Sequence, residues 1–249
     1  MKEKKLISLF SGAGGMDIGF HAAGFRTAVA VEQDPSCCNT LRLNMPNTPV
    51  IEGDITSITT RTILEAAKVK PLEIDLVIGG PPCQSFSLAG KRMGMDDPRG
   101  MLVLEFLRVV REALPKCFVM ENVKGMINWS KGKALEAIMA EASQPIKYDG
   151  MEYEYSVSYH VLNAADFGAP QFRERVFVVG NRLGKVFHFP EPTHGSSEQV
   201  RQTDLFGKQR KPYKTVQDAI GCLPAANPPS ATALRVSQTI KDRIKNHGY

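Results

Sequence analysis

The sequence has few of the features that mark secreted or membrane proteins. Its 249 residues contain five cysteines and one tryptophan. No stretch of about 18 uncharged apolar residues occurs, which argues against a membrane-spanning helix. The apolar run at residues 6–10, after a basic start, is too short for the core of a signal peptide. We therefore expect a cytoplasmic protein without a membrane segment.

The cysteines are odd in number, and their spacing fits no zinc site. Because an intracellular chain keeps its thiols reduced, each cysteine is either a small core residue or a reactive thiol. We expect no metal site. Four cysteines are interpreted as buried core residues, namely Cys37, Cys38, Cys117 and Cys222.

Positive charge is concentrated towards the carboxyl terminus. Residues 173–249 contain 13 Lys and Arg against 6 Asp and Glu, whereas residues 1–172 contain 18 against 20. A basic carboxyl-terminal third after a nearly neutral remainder suggests a polyanionic partner. The alternative, a solvated basic surface, explains the charge equally well. Candidate phosphate contacts are Lys208, Arg210, Lys211 and Lys214.

Short β-branched runs alternate with helical stretches along most of the chain. Because this alternation implies βαβ units, we predict an α/β fold with a mostly parallel, twisted sheet and helices on both faces. Strands are predicted at residues 6–10, 28–32, 49–51, 74–78, 117–121, 155–162 and 175–179, and helices at 16–23, 35–43, 63–68, 101–113 and 133–142.

The alternation weakens after residue 180. Residues 195–214 are polar, a short helix is predicted at 216–220, and three prolines make 224–230 typical of a linker. We predict a main domain of residues 1–194, followed by a basic, partly irregular extension of residues 195–249.

A glycine-rich turn, residues 10–15, follows the first predicted strand and opens a helix. Glycines at such a position let the backbone turn tightly and approach a ligand. Asp17 takes the place of the third glycine of the dinucleotide fingerprint, and its charge would repel a pyrophosphate at the helix N-terminus. This favours a nucleoside cofactor that carries no phosphate.

Two carboxylates follow the next two predicted strands. Glu32 ends the second strand, where a carboxylate can bind ribose hydroxyls, and Asp54 follows the third and could accept a bond from an adenine amine. Since the carboxyl ends of parallel strands share one edge, these groups and the glycine turn should meet in one crevice. The set fits S-adenosylmethionine, although a helix N-cap explains either acid alone about as well.

Cys83 lies in a rigid, polar turn after the fourth predicted strand. Pro81 and Pro82 restrict the backbone before it. A thiolate at the edge of a sheet is well placed to be a nucleophile, and a buried core residue explains this cysteine poorly. Residues 88–100 beyond it are typical of a mobile lid, or of a surface loop without a function.

An acid and two cations complete the set. Glu121 ends the fifth predicted strand, which should neighbour the fourth, so it can act as a proton donor near Cys83. Alternation places Gln171, Arg173 and Arg175 on one side of the last strand. Two guanidinium groups there can hold a carbonyl and order a thiol and a carboxylate, whereas solvated charges on an edge strand are the alternative.

Together these segments resemble the DNA (cytosine-5) methyltransferase family over residues 4 to about 224. They occur in the order and at the spacing of the family's shared segments. The resemblance implies a Rossmann-like fold of class I S-adenosylmethionine-dependent methyltransferases. The segments that carry it are residues 9–15, Glu32, 53–55, 80–87, 121–123, 171–175 and 215–220.

The resemblance also implies a mechanism. Cys83 adds to carbon 6 of a cytosine that is flipped out of duplex DNA, while Glu121 donates to N3. Arg175 holds the cytosine O2, Arg173 helps to order the site, and carbon 5 takes the methyl group before its proton is lost and Cys83 is expelled. The implied cofactor contacts are Phe10, Ser11, Gly12, Ala13, Gly14, Gly15, Glu32, Asp54, Ile55, Pro82 and Leu102.

The sequence departs from the family pattern in residues 225–249, which contain no target-recognition region and no final Gly-Asn segment. We therefore expect residues 1–194 to be the catalytic domain. A second polypeptide would carry the recognition region and the last segment of the cofactor pocket. Modification of double-stranded DNA in a restriction-modification system is the expected role, with an RNA (tRNA) cytosine-5 methyltransferase or a truncated, inactive fragment as alternatives.

Overall fold

The computed structural model describes residues 3–82, 101–201 and 209–223, with Arg235 and Gln238. Its helices α1 to α8 are Gly15–Ala22, Pro35–Asn44, Thr60–Ala67, Met101–Ala113, Gly125–Asn128, Lys133–Ala142, Ser197–Arg201 and Val216–Ile220. Its strands β1 to β11 are Lys4–Leu9, Phe25–Glu32, Val50–Glu52, Leu76–Gly79, Cys117–Val123, Ile146–Tyr148, Met151–Tyr153, Ser156–Asn163, Glu174–Asn181, His194–Gly195 and Lys211–Pro212.

Within the described residues, the main sheet has seven strands in the order β3-β2-β1-β4-β5-β9-β8. Strands β1 to β5 are mutually parallel, and β9 runs antiparallel between β5 and β8. The mostly parallel sheet is confirmed. The edge-strand alternative for the segment of Arg175 is wrong, because β9 is an interior strand and β8 lies at the edge.

Helices cover both faces of this sheet, as predicted. On one face, residues from α3, α4 and α6 pack against alternate residues of the strands, among them Phe118 and Met120 of β5. Phe106 of α4 is fully buried there, and its ring meets that of Phe118 edge-on at a centroid distance of 6.1 Å. Burial of one such side chain contributes about 1.5–3 kcal/mol. Helices α1 and α2 pack on the other face, over β1, β4 and β2.

Parts of the sequence interpretation are corrected by the fold. Cys38 is buried, but Cys37 and Cys117 are only partly buried, and Cys222 is exposed in the turn after α8, so the prediction that all four are core residues is wrong. The polar segment after residue 195 contains α7 and the short strand β11, which pairs with β10. No helix of the described part is long and apolar enough to cross a membrane.

The topology brings several chain segments to one edge of the sheet. Strands β1 to β5 all end there because they are parallel, and β9 begins there because it runs the opposite way. In an open α/β sheet this edge is where ligands bind.

Candidate active site

A cleft of about 310 Å³ opens at the carboxyl edge of the sheet. The structure brings six of the predicted cofactor contacts together in its walls: Phe10, Glu32, Asp54, Ile55, Pro82 and Leu102. Four further lining residues are Val31, Gln33, Gly53 and Gly80. Val31 and Gln33 were missed, although each adjoins Glu32 at the end of β2 and could have been found from that position.

The glycine-rich turn adjoins the cleft. Phe10, the first residue beyond β1, has a φ of 52°, which is uncommon for a side chain of this size. Gly14 has a φ of 84°, a backbone conformation that favours glycine, and a Cβ there would also displace the flexible end of the Met45 side chain, 2.7 Å away. Ser11, Gly12, Ala13, Gly14 and Gly15 are not among the residues that line the cleft, and their contact with a cofactor stays a prediction.

Glu32 is fixed by three backbone N–H groups. Gly12 donates to its Oε2 at 2.7 Å, while Gln33 and Asp34 donate to its Oε1 at 2.8 and 2.9 Å. The helix-cap alternative for Glu32 is wrong, because Asp34 caps α2 by accepting a bond from Cys37 N–H. That bond also holds the pKa of Asp34 below its usual value. Glu32 therefore ties the glycine turn to the end of β2.

Asp54 has the structural role that was considered for it and also lies in the cleft. It caps the short 3-10 turn Ile55–Ser57, where its Oδ1 accepts from Thr56 N–H at 2.9 Å. The cap orients the carboxylate and the Ile55 backbone together. Capping and lining a cleft are thus compatible at this residue.

Asp17 does not point at the helix N-terminus. It is fully buried, and it accepts hydrogen bonds from Ser8 Oγ at 2.9 Å and Thr27 Oγ1 at 2.7 Å. The carboxylate therefore faces the sheet, and its effect on a pyrophosphate stays a prediction. The hydrogen bonds join α1 to β1 and β2 below the glycine turn.

Asn122 holds the turn that leads to the predicted nucleophile. Its buried amide donates from Nδ2 to the carbonyl of Pro81 at 3.0 Å. Sequence reasoning assigned no role to Asn122, although it directly follows Glu121 at the end of β5. Cys83 and residues 84–100, including the predicted lid, lie outside the described residues.

Glu121 lies beside that same turn, and its carboxylate forms ion pairs with both predicted arginines. Arg175 donates from Nε to its Oε1 at 2.9 Å, and Arg173 Nη2 lies 3.8 Å from the same oxygen. A Cβ on Gly80 would lie 3.3 Å from Oε2, so the second oxygen faces the turn. Arg173 and Arg175 contact Glu121, whereas the side chain of Glu174 between them pairs with Lys124 at 2.7 Å, as the predicted alternation requires of these three residues.

Comparisons with known proteins show the family of this chain. Residues 4–245 match the family model of the C-5 cytosine-specific DNA methylases. The chain is 90% identical to the Type II methyltransferase M.AquIA of Picosynechococcus sp., over 99% of this chain and all of that protein. It is 42% identical to the Type II methyltransferase M1.HphI of Haemophilus parahaemolyticus, over 89% of this chain and 53% of that one.

A solved structure also matches. A crystal structure described as a DNA modification methyltransferase encoded within an E. coli prophage superposes with a TM-score of 0.66 and 30% identity. The match covers 90% of this chain and 56% of that one. The chain thus spans M.AquIA from end to end but about half the length of the other relatives. The chain belongs to the C-5 cytosine-specific DNA methylase family and is a DNA (cytosine-5) methyltransferase by that membership.

Proposed function

We propose that this chain is the catalytic subunit of an enzyme that transfers a methyl group from S-adenosylmethionine to carbon 5 of cytosine. The substrate is a specific sequence in double-stranded DNA, within a cytoplasmic restriction-modification system. A second polypeptide supplies the target-recognition region and the last segment of the cofactor pocket.

The arrangement around Glu121 carries the proposal. Its carboxylate is oriented by Arg175 through Oε1, while Oε2 faces the turn that precedes Cys83. A cytosine that enters this corner meets Glu121 as an acid for N3 and Arg175 as a guanidinium for O2. Cys83, which follows this turn in the sequence, is proposed as the thiol that adds to carbon 6. Proton transfer at N3 keeps negative charge from building up on the ring as the thiolate adds. Arg173 and Arg175 hold the acid in place, and Cys83 departs when carbon 5 loses its proton.

The cleft beside this corner fits the cofactor. Phe10, Ile55 and Leu102 offer an apolar slot for an adenine, while Glu32 and Asp54 offer carboxylates for ribose hydroxyls and an amine. The Glu32 carboxylate is already oriented by backbone N–H groups, so little ordering is required when it binds. When bound, S-adenosylmethionine supplies an electrophilic methyl group.

The basic carboxyl-terminal third supports a DNA substrate. Strands β10 and β11 pack at the carboxyl edge, where Tyr213 donates to Asp166 at 2.8 Å and the ring of Phe172 meets that of Tyr213. Lys211 and Lys214 are exposed there, within reach of a phosphate backbone, and Arg210 is half-buried. The fourth predicted phosphate contact, Lys208, lies outside the described residues.

One observation supports a second polypeptide. Val216 and Ile220 of α8 and Leu223 of the turn after it form an apolar stripe at i, i+4 and i+7, and they are 59%, 53% and 63% exposed. An apolar stripe on a well-capped helix is typical of a surface that packs against a partner.

Methyl transfer to DNA tests the proposal. The purified chain is incubated with labelled S-adenosylmethionine and unmodified duplex DNA, alone and with the product of the adjacent open reading frame. The expected result is 5-methylcytosine in the digested DNA only when both polypeptides are present. Methylation by the chain alone would refute the need for a second subunit, and methylation of RNA but not DNA would refute the substrate.

A further inference from the structure

Arg108 of α4 makes four hydrogen bonds, although it does not line the cleft. Its Nη2 donates to the carbonyls of Ile55 and Ile58 at 3.1 and 3.0 Å, and its Nη1 donates to Thr60 Oγ1 at 2.9 Å. Its Nε donates to Oε2 of Glu105 at 2.7 Å, and this contact, three residues earlier on the same helix, orients the guanidinium. The side chain is only 27% exposed.

These contacts join two walls of the cleft. Ile55, whose carbonyl Arg108 binds, lines the cleft from the turn after β3, and Leu102 lines it from the first turn of α4. Arg108 lies six residues beyond Leu102 on that same helix. One guanidinium therefore bridges the two walls through polar contacts, beside the apolar packing of Ile55 against the core.

Arginine suits this task better than other cations. Its planar group carries five N–H donors in a fixed fork, so it can serve two carbonyls, a hydroxyl and a carboxylate at once. A lysine ammonium has three donors and no fixed plane. Loss of the guanidinium would leave the carbonyls of Ile55 and Ile58 without these bonds, and the turn would relax away from α4.

We infer that Arg108 is a positioning residue for the cofactor, which it never touches: it holds the Ile55 wall of the adenine slot at the correct distance from Leu102. The inference rests on the proposed function, because it assumes that the cleft binds S-adenosylmethionine. Arg108 should therefore control cofactor affinity without affecting the chemistry at Glu121.

The test compares Arg108→Met and Arg108→Lys with wild type and with the control Arg61→Met. Arg61 of α3 is 87% exposed and pairs only along its own helix, with Glu65 at 2.8 Å among the described contacts. The dissociation constant for S-adenosylhomocysteine is measured by calorimetry on the full chain, alone and with its second subunit, at a temperature where circular dichroism shows every variant folded. Steady-state kinetics then separate KM for the cofactor from kcat.

Arg108→Met is expected to weaken binding by about tenfold or more and to raise KM with kcat nearly unchanged, with Arg108→Lys intermediate and Arg61→Met like wild type. Binding by Arg108→Met within twofold of wild type would overturn the inference, as would equal losses in Arg61→Met. If wild type binds no cofactor, the proposed function fails instead. Amide exchange over residues 54–58 then decides the positioning role, and unchanged protection in Arg108→Met would refute it.

Discussion

Arg175 donates from Nε to Glu121 Oε1 across 2.9 Å and thereby joins the start of β9 to the end of β5. Glu121→Gln keeps the shape of the side chain, but the amide can neither carry the negative charge nor transfer a proton. We expect kcat to fall by about 10²–10⁴-fold, because proton transfer at the ring is lost while DNA binding is retained. Single-turnover methyl transfer on bound DNA measures this directly.

Glu174→Gln is the matched control for that substitution. Glu174 lies beside Arg175 on β9, but its carboxylate pairs with Lys124 on the surface, away from Glu121. We expect its kcat to stay within about threefold of wild type, since an exposed ion pair contributes little. Equal losses in the two variants would show that charge on this strand matters in general and would remove the specific role of Glu121.

Asn122→Ala tests whether the turn before Cys83 must be held. The substitution frees the Pro81 carbonyl and opens a small gap at a buried position. We expect a loss of about 1–3 kcal/mol in the free energy of unfolding and a lower kcat from a misplaced nucleophile. Denaturant melts and single-turnover assays report the two effects, and the exposed Asn39→Ala serves as control. Wild-type kcat in Asn122→Ala would exclude the positioning role.

Gly79→Ala should destabilise the sheet beneath the site. A Cβ at Gly79 would lie 2.6 Å from the carbonyl oxygen of Leu9 and 3.1 Å from the ring of Phe106. Since backbone must shift to relieve the first contact, we expect a loss of about 1–3 kcal/mol in unfolding free energy. In Gly19→Ala the added methyl group meets nothing within 4 Å, and α1 should gain about 0.5–1 kcal/mol. Thermal denaturation of both variants tests these expectations, and equal stability of Gly79→Ala and wild type would contradict the first.

Ile220→Asp places a charge in the apolar stripe of α8. If the stripe packs against the second subunit, the concentration of that subunit needed for half-maximal activity should rise at least about tenfold. Ala219→Asp adds the same charge one residue away, off the stripe, and should behave like wild type. Binding of S-adenosylhomocysteine to the chain should change in neither. A normal response of Ile220→Asp to the second subunit would place the interface elsewhere.

Regular elements were predictable wherever periodicity and a stop signal coincided. Helices α4, α6 and α8 match their predicted bounds, and Pro115 marks the end of the first of these. The β6–β7 hairpin was missed, although its signal was present: Asp149 and Gly150 both have positive φ and form the two-residue turn. Asp-Gly between short strands is a strong hairpin signal, but three-residue strands give too little alternation to draw attention to it.

The site residues that lie at the ends of strands could be predicted from the sequence. The contacts that support them could not. Glu32, Asp54 and Glu121 could be placed because parallel strands end at one edge. The inward orientation of Asp17 depends on Ser8 and Thr27, which lie on two different strands, so no local pattern reveals it. The role of Asn122 likewise depends on a contact across 41 residues.

The most direct test of the central claim is covalent capture of the nucleophile. Duplex DNA with 5-fluorocytosine in the target sequence cannot lose a proton from carbon 5, so the cysteine adduct should persist. With S-adenosylmethionine and the second subunit present, we predict a denaturant-resistant complex whose mass-spectrometric digest places the DNA on Cys83. The complex should be absent in Cys83→Ser and present in the control Cys222→Ser. An adduct on another residue, or methylation by Cys83→Ser, would contradict the account.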